Sequence, residues 1–182
     1  MKKIFIATTN KGKVEEISEM LKIPLGFAKL ELDEVQSMDL EYVARKKVEK
    51  AFKILKKPVI VDDVGVYFKA WNEFPGPFVK YVHNLLGNKK VLKLFQKEKN
   101  RNVVVRCAVA FHDGRKIHTF LGSVNGTLAL REKGSWGWGF DPIIIPSGYF
   151  QTFAEMGVKK KNLVSHRGKA FKKLKKFLES QK

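Results

Sequence analysis

The sequence predicts an α/β protein, and three observations carry that prediction. Pro58–Phe68, PVIVDDVGVYF, opens on a β-branched run, Val59–Val61, of the kind that fits a strand covered on both faces. Lys2–Ala7 reads as an opening strand that passes through Thr8-Thr9-Asn10-Lys11-Gly12-Lys13 into a helix with apolar positions Val14, Ile17 and Leu21. Further along, helical and strand patterns follow one another, as they do in layered α/β folds.

At 182 residues the chain reads as one domain, 1–182, with room for two lobes. Its 44% hydrophobic and 12% aromatic content excludes a disordered chain. No apolar run reaches the length of a membrane span, and Met1–Thr8 is too short for a signal peptide. The single cysteine, Cys107, reads as a buried strand residue and excludes an internal disulfide. A cytoplasmic protein with no membrane partner is expected. Lys and Arg outnumber Asp and Glu 36 to 18, for a formal net charge of +18. That excess fits an anionic ligand, a nucleic-acid surface or a Lys-rich solvated surface. The basic residues are spread along the chain and no nucleic-acid module is recognisable, so a solvated surface with local nucleotide binding is the preferred reading. A basic nucleic-acid-binding protein is the alternative.

Each element follows from its own pattern. The strand–loop–helix start places free backbone N–H groups and a positive dipole end at Thr8–Lys13, which suits an anion. Its glycine spacing is not that of a Walker loop, and helix caps also favour Thr and Asn. Phe27–Leu32 reads as a second strand, followed by Asp33-Glu34-Val35-Gln36. Leu40–Lys56 is a long helix with Ala44, Val48, Ala51 and Leu55 on one face and Lys46 and Lys47 on or near its exposed flank. The central strand then meets Asp62, Asp63 and Gly65, with Val66–Ala70 as a separate partner strand. Side chains alternate along a strand, so the two aspartates point to opposite faces. One can face a cleft while the other braces the loop, and the alternation leaves open which. A plain turn after the strand is the other reading.

Pro75-Gly76-Pro77 predicts a rigid turn, and Phe78–Leu86 and Asn88–Glu98 predict helices. Asn102–Phe111 and Lys116–Val124 form a hairpin closed by His112-Asp113-Gly114-Arg115, with His112 and His118 facing solvent. Gly126–Leu130 and Ile143–Ile145 are short strands. Between them, Ser135–Pro142 spaces aromatic rings by glycines, which leaves flat faces beside an approachable backbone. Ser165 caps the last helix, whose apolar positions are Ala170, Phe171, Leu174 and Phe177. His166 and Arg167 fall in its first turn, where a cationic pair opposes the helix dipole; such a breach of local rules marks functional candidates.

Taken together, Thr8–Lys13, Asp62-Asp63, Pro75-Gly76-Pro77-Phe78-Val79-Lys80, Trp138-Gly139-Phe140-Asp141-Pro142, Phe153-Ala154-Glu155-Met156 and Lys161–Arg167 resemble the inosine triphosphate pyrophosphatase family. The resemblance covers essentially the whole chain. It implies a long, twisted mixed sheet flanked by helices, two lobes with a central cleft, and a homodimer. It also implies Mg²⁺-dependent hydrolysis of non-standard purine nucleoside triphosphates (ITP, dITP, XTP) to the monophosphate and pyrophosphate, which cleanses the nucleotide pool. A pyrophosphatase of different base specificity is the nearer alternative.

By the same resemblance, Thr8, Thr9, Asn10, Lys11, Gly12 and Lys13 cradle the phosphates. Glu34 and Asp63 hold the metal, and Asp63 is the general base. Lys47 is a phosphate lysine, with Lys46 open because the spacing from Glu34 carries one extra residue. Lys80 lies near the substrate. Trp138 and Phe140 flank the base beside Gly139 and Asp141, and Lys161, His166 and Arg167 hold the purine edge. Val64 stands where the family usually has Ser or Thr, Thr9 where a glycine is common, and Ser37 where a glycine follows the glutamate.

Overall fold

The computed structural model describes residues 3–181, without the Lys11 side chain. Lys2 of the predicted first strand therefore lies outside the described residues. A seven-stranded mixed sheet runs through the molecule in the order β2-β1-β3-β5-β6-β7, with β4 paired to β3 alone. The strands are β1 (Ile4–Ala7), β2 (Leu25–Ala28), β3 (Val59–Phe68), β4 (Pro75–Gly76), β5 (Asn102–His112), β6 (Ile117–Leu128) and β7 (Ile144–Pro146). The helices are α1 (Lys11–Leu21), α2 (Leu40–Leu55), α3 (Val79–Leu94), α4 (Phe153–Val164) and α5 (His166–Ser180). The β1–β2 and β1–β3 pairs are parallel and the others antiparallel. The α/β expectation holds.

Alternation along the strands sorts the core into three clusters. On one face, Ile4, Ile6, Ile60, Cys107 and Val109 pack under α1 and α5. Farther along that face, Val66, Phe68, Val103 and Val105 pack with α3, β7 and α4. Val64 touches both clusters. On the opposite face, Val59, Val61, Ala108 and Ala110 pack against Leu40, Ala44, Val48 and Ala51 of α2. Two lobes thus share one sheet face, and the cleft between them has the middle of β3 as its floor.

Three sequence readings change. Asp62 and Asp63 do not end a strand, and Val66–Ala70 is not a separate one: β5 pairs with β3 without a break from Val59↔His112 to Phe68↔Val103, and that ladder carries the strand through Gly65. The predicted Phe27–Leu32 strand is Leu25–Ala28, because its partner β1 ends at Ala7 and leaves residues beyond Ala28 nothing to pair with. His112 and His118 are half-buried: His112 stacks on Phe52, and His118 pairs with Asp113 at 2.8 Å and packs on Phe177. In addition, the predicted Gly126–Leu130 strand is the end of β6, which stops at Leu128, while the two helices predicted from Phe78 are separated within α3 by the non-helical Gly87 (φ 66°, ψ 173°).

Helix α5 lies close on β6, and Gly122 makes this approach feasible. A methyl built there would sit 2.0 Å from the His166 carbonyl oxygen and 2.6 Å from the Ala170 nitrogen. Gly122→Ala is therefore expected to push α5 off the sheet and lower stability by about 1–3 kcal/mol, read as a fall in urea midpoint at unchanged slope. A wild-type midpoint would show that the helix has room to spare.

Candidate active site

The site arises from a gap in strand pairing. On one side of β3, β1 pairs only as far as Ile60 and β4 begins only at Val66. The intervening stretch, Val61–Gly65, keeps β5 on its other side and faces an open edge. The cleft built there has a volume of about 540 Å³, within the usual range for small-molecule sites. Of the residues expected from the sequence, Thr8, Thr9, Asn10, Lys13, Glu34, Lys47, Asp63, Val64, Lys80, Trp138, Gly139, Phe140, Asp141, Lys161, His166 and Arg167 all line it. Gly12 lies beside it in α1; a methyl on Gly12 would come 3.3 Å from the Trp138 ring. Lys11 begins α1, and its side chain is outside the described residues.

At one end, the Asn10 side chain accepts the Lys13 N–H and caps α1, so the helix N-terminus opens onto the cleft. Across from it, Lys47 Nζ sits 2.6 Å from Glu34 Oε1 and 2.7 Å from Asp63 Oδ1. The choice left open in the sequence falls on Lys47, since Lys46 turns away and pairs with Glu49. Burial alone would raise the Glu34 carboxyl, but the charge and hydrogen bond of Lys47 bring its pKa below the ordinary value. At Asp63 burial wins over Lys47, and the pKa ends above the ordinary value. Asp63 Oδ2 is buried with no hydrogen-bond partner. Two adjacent carboxylates already bridged by a cation, one with an orphan oxygen, suit a hard divalent ion such as Mg²⁺. Among the described residues no three His, Cys, Asp or Glu side chains gather as a metal cage.

The other end is a buried ion network. The alternation question resolves here: Asp63 faces Lys47, and Asp62, on the opposite face, faces α1 and α5. Arg167 donates from Nε to Asp62 Oδ2 and from Nη1 to Glu16 Oε2, each at 3.0 Å. Lys13 Nζ lies 3.2 Å from Asp62 Oδ1. Lys161, 1% exposed, donates to Asp141 Oδ2 at 2.8 Å and lies 3.8 Å from Glu16 Oε1. Burial would raise the Asp62 carboxyl, yet Lys13 and Arg167 hold it well below the usual range. Trp138 covers this network, its ring centroid 4.6 Å from Lys161 Nζ and 5.4 Å from Arg167 Cζ.

Three of these residues have surroundings that their sequence neighbours do not show. His166 and Arg167 are not a cationic pair: burial, with Arg167 and Lys161 nearby, pushes the His166 pKa well below its ordinary value, so the imidazole is neutral. Phe140 lines the cleft but is a core residue, packed on Phe68 and edge-on to His83. Asp141 accepts from Lys161 and from the Trp138 N–H, so it braces the wall of the cleft. Sequence reading missed Glu16, whose neighbour Glu15 is the same residue type; only the fold shows which is buried. It also missed His83 and Asn84 on α3, which line the cleft and carry no local signal.

Residues 4–177 match the model of the Ham1 family. A dITP/XTP pyrophosphatase of Saccharolobus solfataricus is 42% identical over 98% of this chain and 94% of its own length. That of Thermococcus kodakarensis is 38% identical over 97% of each chain. Among solved structures, a Ham1 protein of Staphylococcus aureus superposes with a TM-score of 0.83 at 28% identity over all of both chains. A HAM1 protein of Coxiella burnetii reaches 0.85 at 26% identity over 99% of this chain and 100% of its own.

The neutral state of His166 has a measurable consequence. Its folded pKa lies below the unfolded value of about 6.5, so the unfolded chain binds the extra proton as pH falls. The stability it contributes is full above about pH 6.5 and declines, by at most about 1.4 kcal/mol per pH unit, as pH drops toward the folded value. Denaturant titrations of His166→Gln between about pH 7 and 5 are expected to show a shallower acid slope than the wild type. Parallel slopes would mean that the ring is already protonated in the fold.

Proposed function

Since this chain belongs to the Ham1 family, we propose that it hydrolyses non-standard purine nucleoside triphosphates such as dITP and XTP, releasing the monophosphate and pyrophosphate. The observation that carries this reading is the convergence, in one cleft, of a helix N-terminus, a carboxylate pair and a donor-rich wall. The substrate's phosphates sit at Thr8–Lys13, where backbone N–H groups, hydroxyls and Lys13 accept negative charge. Lys47 and the rim residue Lys80 add to them. Glu34 and Asp63 would hold Mg²⁺, which when bound neutralises phosphate charge and polarises the phosphoryl oxygens.

Asp63 takes a proton from the attacking water. The new O–P bond forms as the bridge between the α- and β-phosphates breaks, and pyrophosphate leaves toward the lysines. Positioning and charge neutralisation carry more of the barrier than the proton transfer, as in phosphoryl transfer generally.

Base choice follows from donors. Hypoxanthine and xanthine present a keto acceptor at position 6, whereas adenine presents an amino donor. Arg167 can only donate, and with Nε and Nη1 engaged by Asp62 and Glu16, Nη2 is the nitrogen left for a ligand. Neutral His166 still has one N–H to give. Adenine would meet donor with donor, a mismatch of roughly 1–3 kcal/mol. Trp138 provides the face on which the base stacks. A cytoplasmic homodimer completes the proposal, following the resemblance.

Asp63→Asn is expected to lower pyrophosphate release about 10²–10⁴-fold or more with an unchanged far-UV spectrum. Wild-type turnover in that variant would remove Asp63 from the mechanism. Across a panel of triphosphates, kcat/KM for ITP and XTP should exceed that for ATP by about one to two orders of magnitude. Equal turnover of ATP and ITP would end the base-reading account.

A further inference from the structure

The Lys47 ammonium stands on the same two carboxylates that would hold the cation. Its Nζ is 2.6 Å from Glu34 Oε1 and 2.7 Å from Asp63 Oδ1, and its side chain is 15% exposed. It is held there from the middle of α2, four residues before Ala51 and next to Val48, both fully buried. The stem therefore has a fixed root, and its head rests on the two carboxylates that a divalent ion would use. We propose that Lys47 is an internal competitor for the metal: the cleft admits a divalent cation as its complex with a triphosphate and excludes the free ion. This inference rests on the pyrophosphatase reading of the site and adds a rule for how the site is filled.

Charge decides the competition. Two carboxylates with one ammonium leave a single negative charge for an incoming ion. A divalent cation arriving alone must either displace Lys47 from both carboxylates into a cleft whose buried acids are already paired, or sit beside it. Among the described residues, the buried acids of the ion network are already claimed: Asp62 by Lys13 and Arg167, Glu16 by Arg167, and Asp141 by Lys161; Glu31, the other acid on the cleft lining, is exposed to water. A triphosphate changes this, because its oxygens give the Lys47 head a new partner within reach of the same stem. Metal and nucleotide each then favour the position of Lys47 that the other requires. That is a thermodynamic coupling, and it is reciprocal. A lysine serves better here than an arginine, since a compact ammonium on four methylenes changes partners without a fixed fork geometry.

Mn²⁺ binding, followed by the loss of its free-ion paramagnetic resonance signal, tests the idea without turnover. The proteins are wild type, Lys47→Gln and Lys47→Arg, each with Mn²⁺ alone and with the α,β-methylene analogue of ITP. Wild type is expected to bind Mn²⁺ weakly alone and at least about tenfold more tightly with the analogue. Lys47→Gln should bind Mn²⁺ alone at least about tenfold more tightly than wild type and lose most of the dependence on analogue. Lys47→Arg, which keeps the charge, should stay near wild type with Mn²⁺ alone. If Lys47→Gln binds free Mn²⁺ no more tightly than wild type, the competitor role is wrong, while analogue-dependent uptake by wild type would still support the pyrophosphatase site. If wild type takes up no Mn²⁺ even with the analogue, the metal site itself falls, and this inference with it.

Discussion

The Arg167 guanidinium, clamped between Asp62 and Glu16, is the contact on which the rest of the cleft depends. It joins three elements that are distant in sequence: α1, β3 and α5. All three side chains are almost fully buried. Burying an ion pair is not in itself a source of stability, because desolvation offsets much of the attraction. Removing one partner is another matter, since it leaves a buried charge uncompensated. The arrangement is thus held less by net gain than by the cost of any alternative, and that cost fixes where α5 can dock. Gly122, which has no side chain to hold α5 away from β6, serves the same docking.

The gap along β3 explains why a site forms at this place. A strand needs both neighbours to satisfy its backbone, and β3 lacks one between Ile60 and Val66. Lys13 partly answers this by donating to the Asp62 carbonyl oxygen at 3.3 Å. Because side chains alternate, the same short segment sends Asp62 into the ion network and Asp63 to the acid pair. One strand thereby feeds both chemical ends of the cleft. Val64, the next residue along the strand, packs on both lobes and supplies apolar floor. Its departure from the family pattern leaves a position that packing alone accounts for.

Much of this could be read from the sequence, for identifiable reasons. The α1 start, the α2 face, the β5–β6 hairpin and the Ser165 cap are local patterns, and local physics decides them. The residues lining the cleft came from a resemblance spread over the whole chain, and the fold brings them together. What escaped was set by contacts at long range. Nothing near Asp62 shows that β5 extends the strand past Gly65. Nothing near Glu16 separates it from Glu15, since its partner lies 151 residues away. His166 reads in sequence as half of a cationic pair with Arg167; in the fold both are enclosed, and burial lowers the His166 pKa.

The balance of charge inside the cleft differs from that of the whole molecule. Lys13, Lys161 and Arg167 are matched by Glu16, Asp62 and Asp141, and Lys47 is outnumbered by Glu34 and Asp63. A triphosphate would therefore meet oriented groups with little net positive charge among them. The excess of +18 lies elsewhere. Part of it covers the free edge of β6, where Lys169 and Lys173 donate to the carbonyl oxygens of Ser123 and Leu121 and occupy acceptors that another strand could use. The field of the whole surface can still draw an anion in from a distance, on the scale of the screening length. Attraction and selection are thus separable: the outer lysines act on any anion, and the neutralised interior offers oriented donors only to one whose shape fits them.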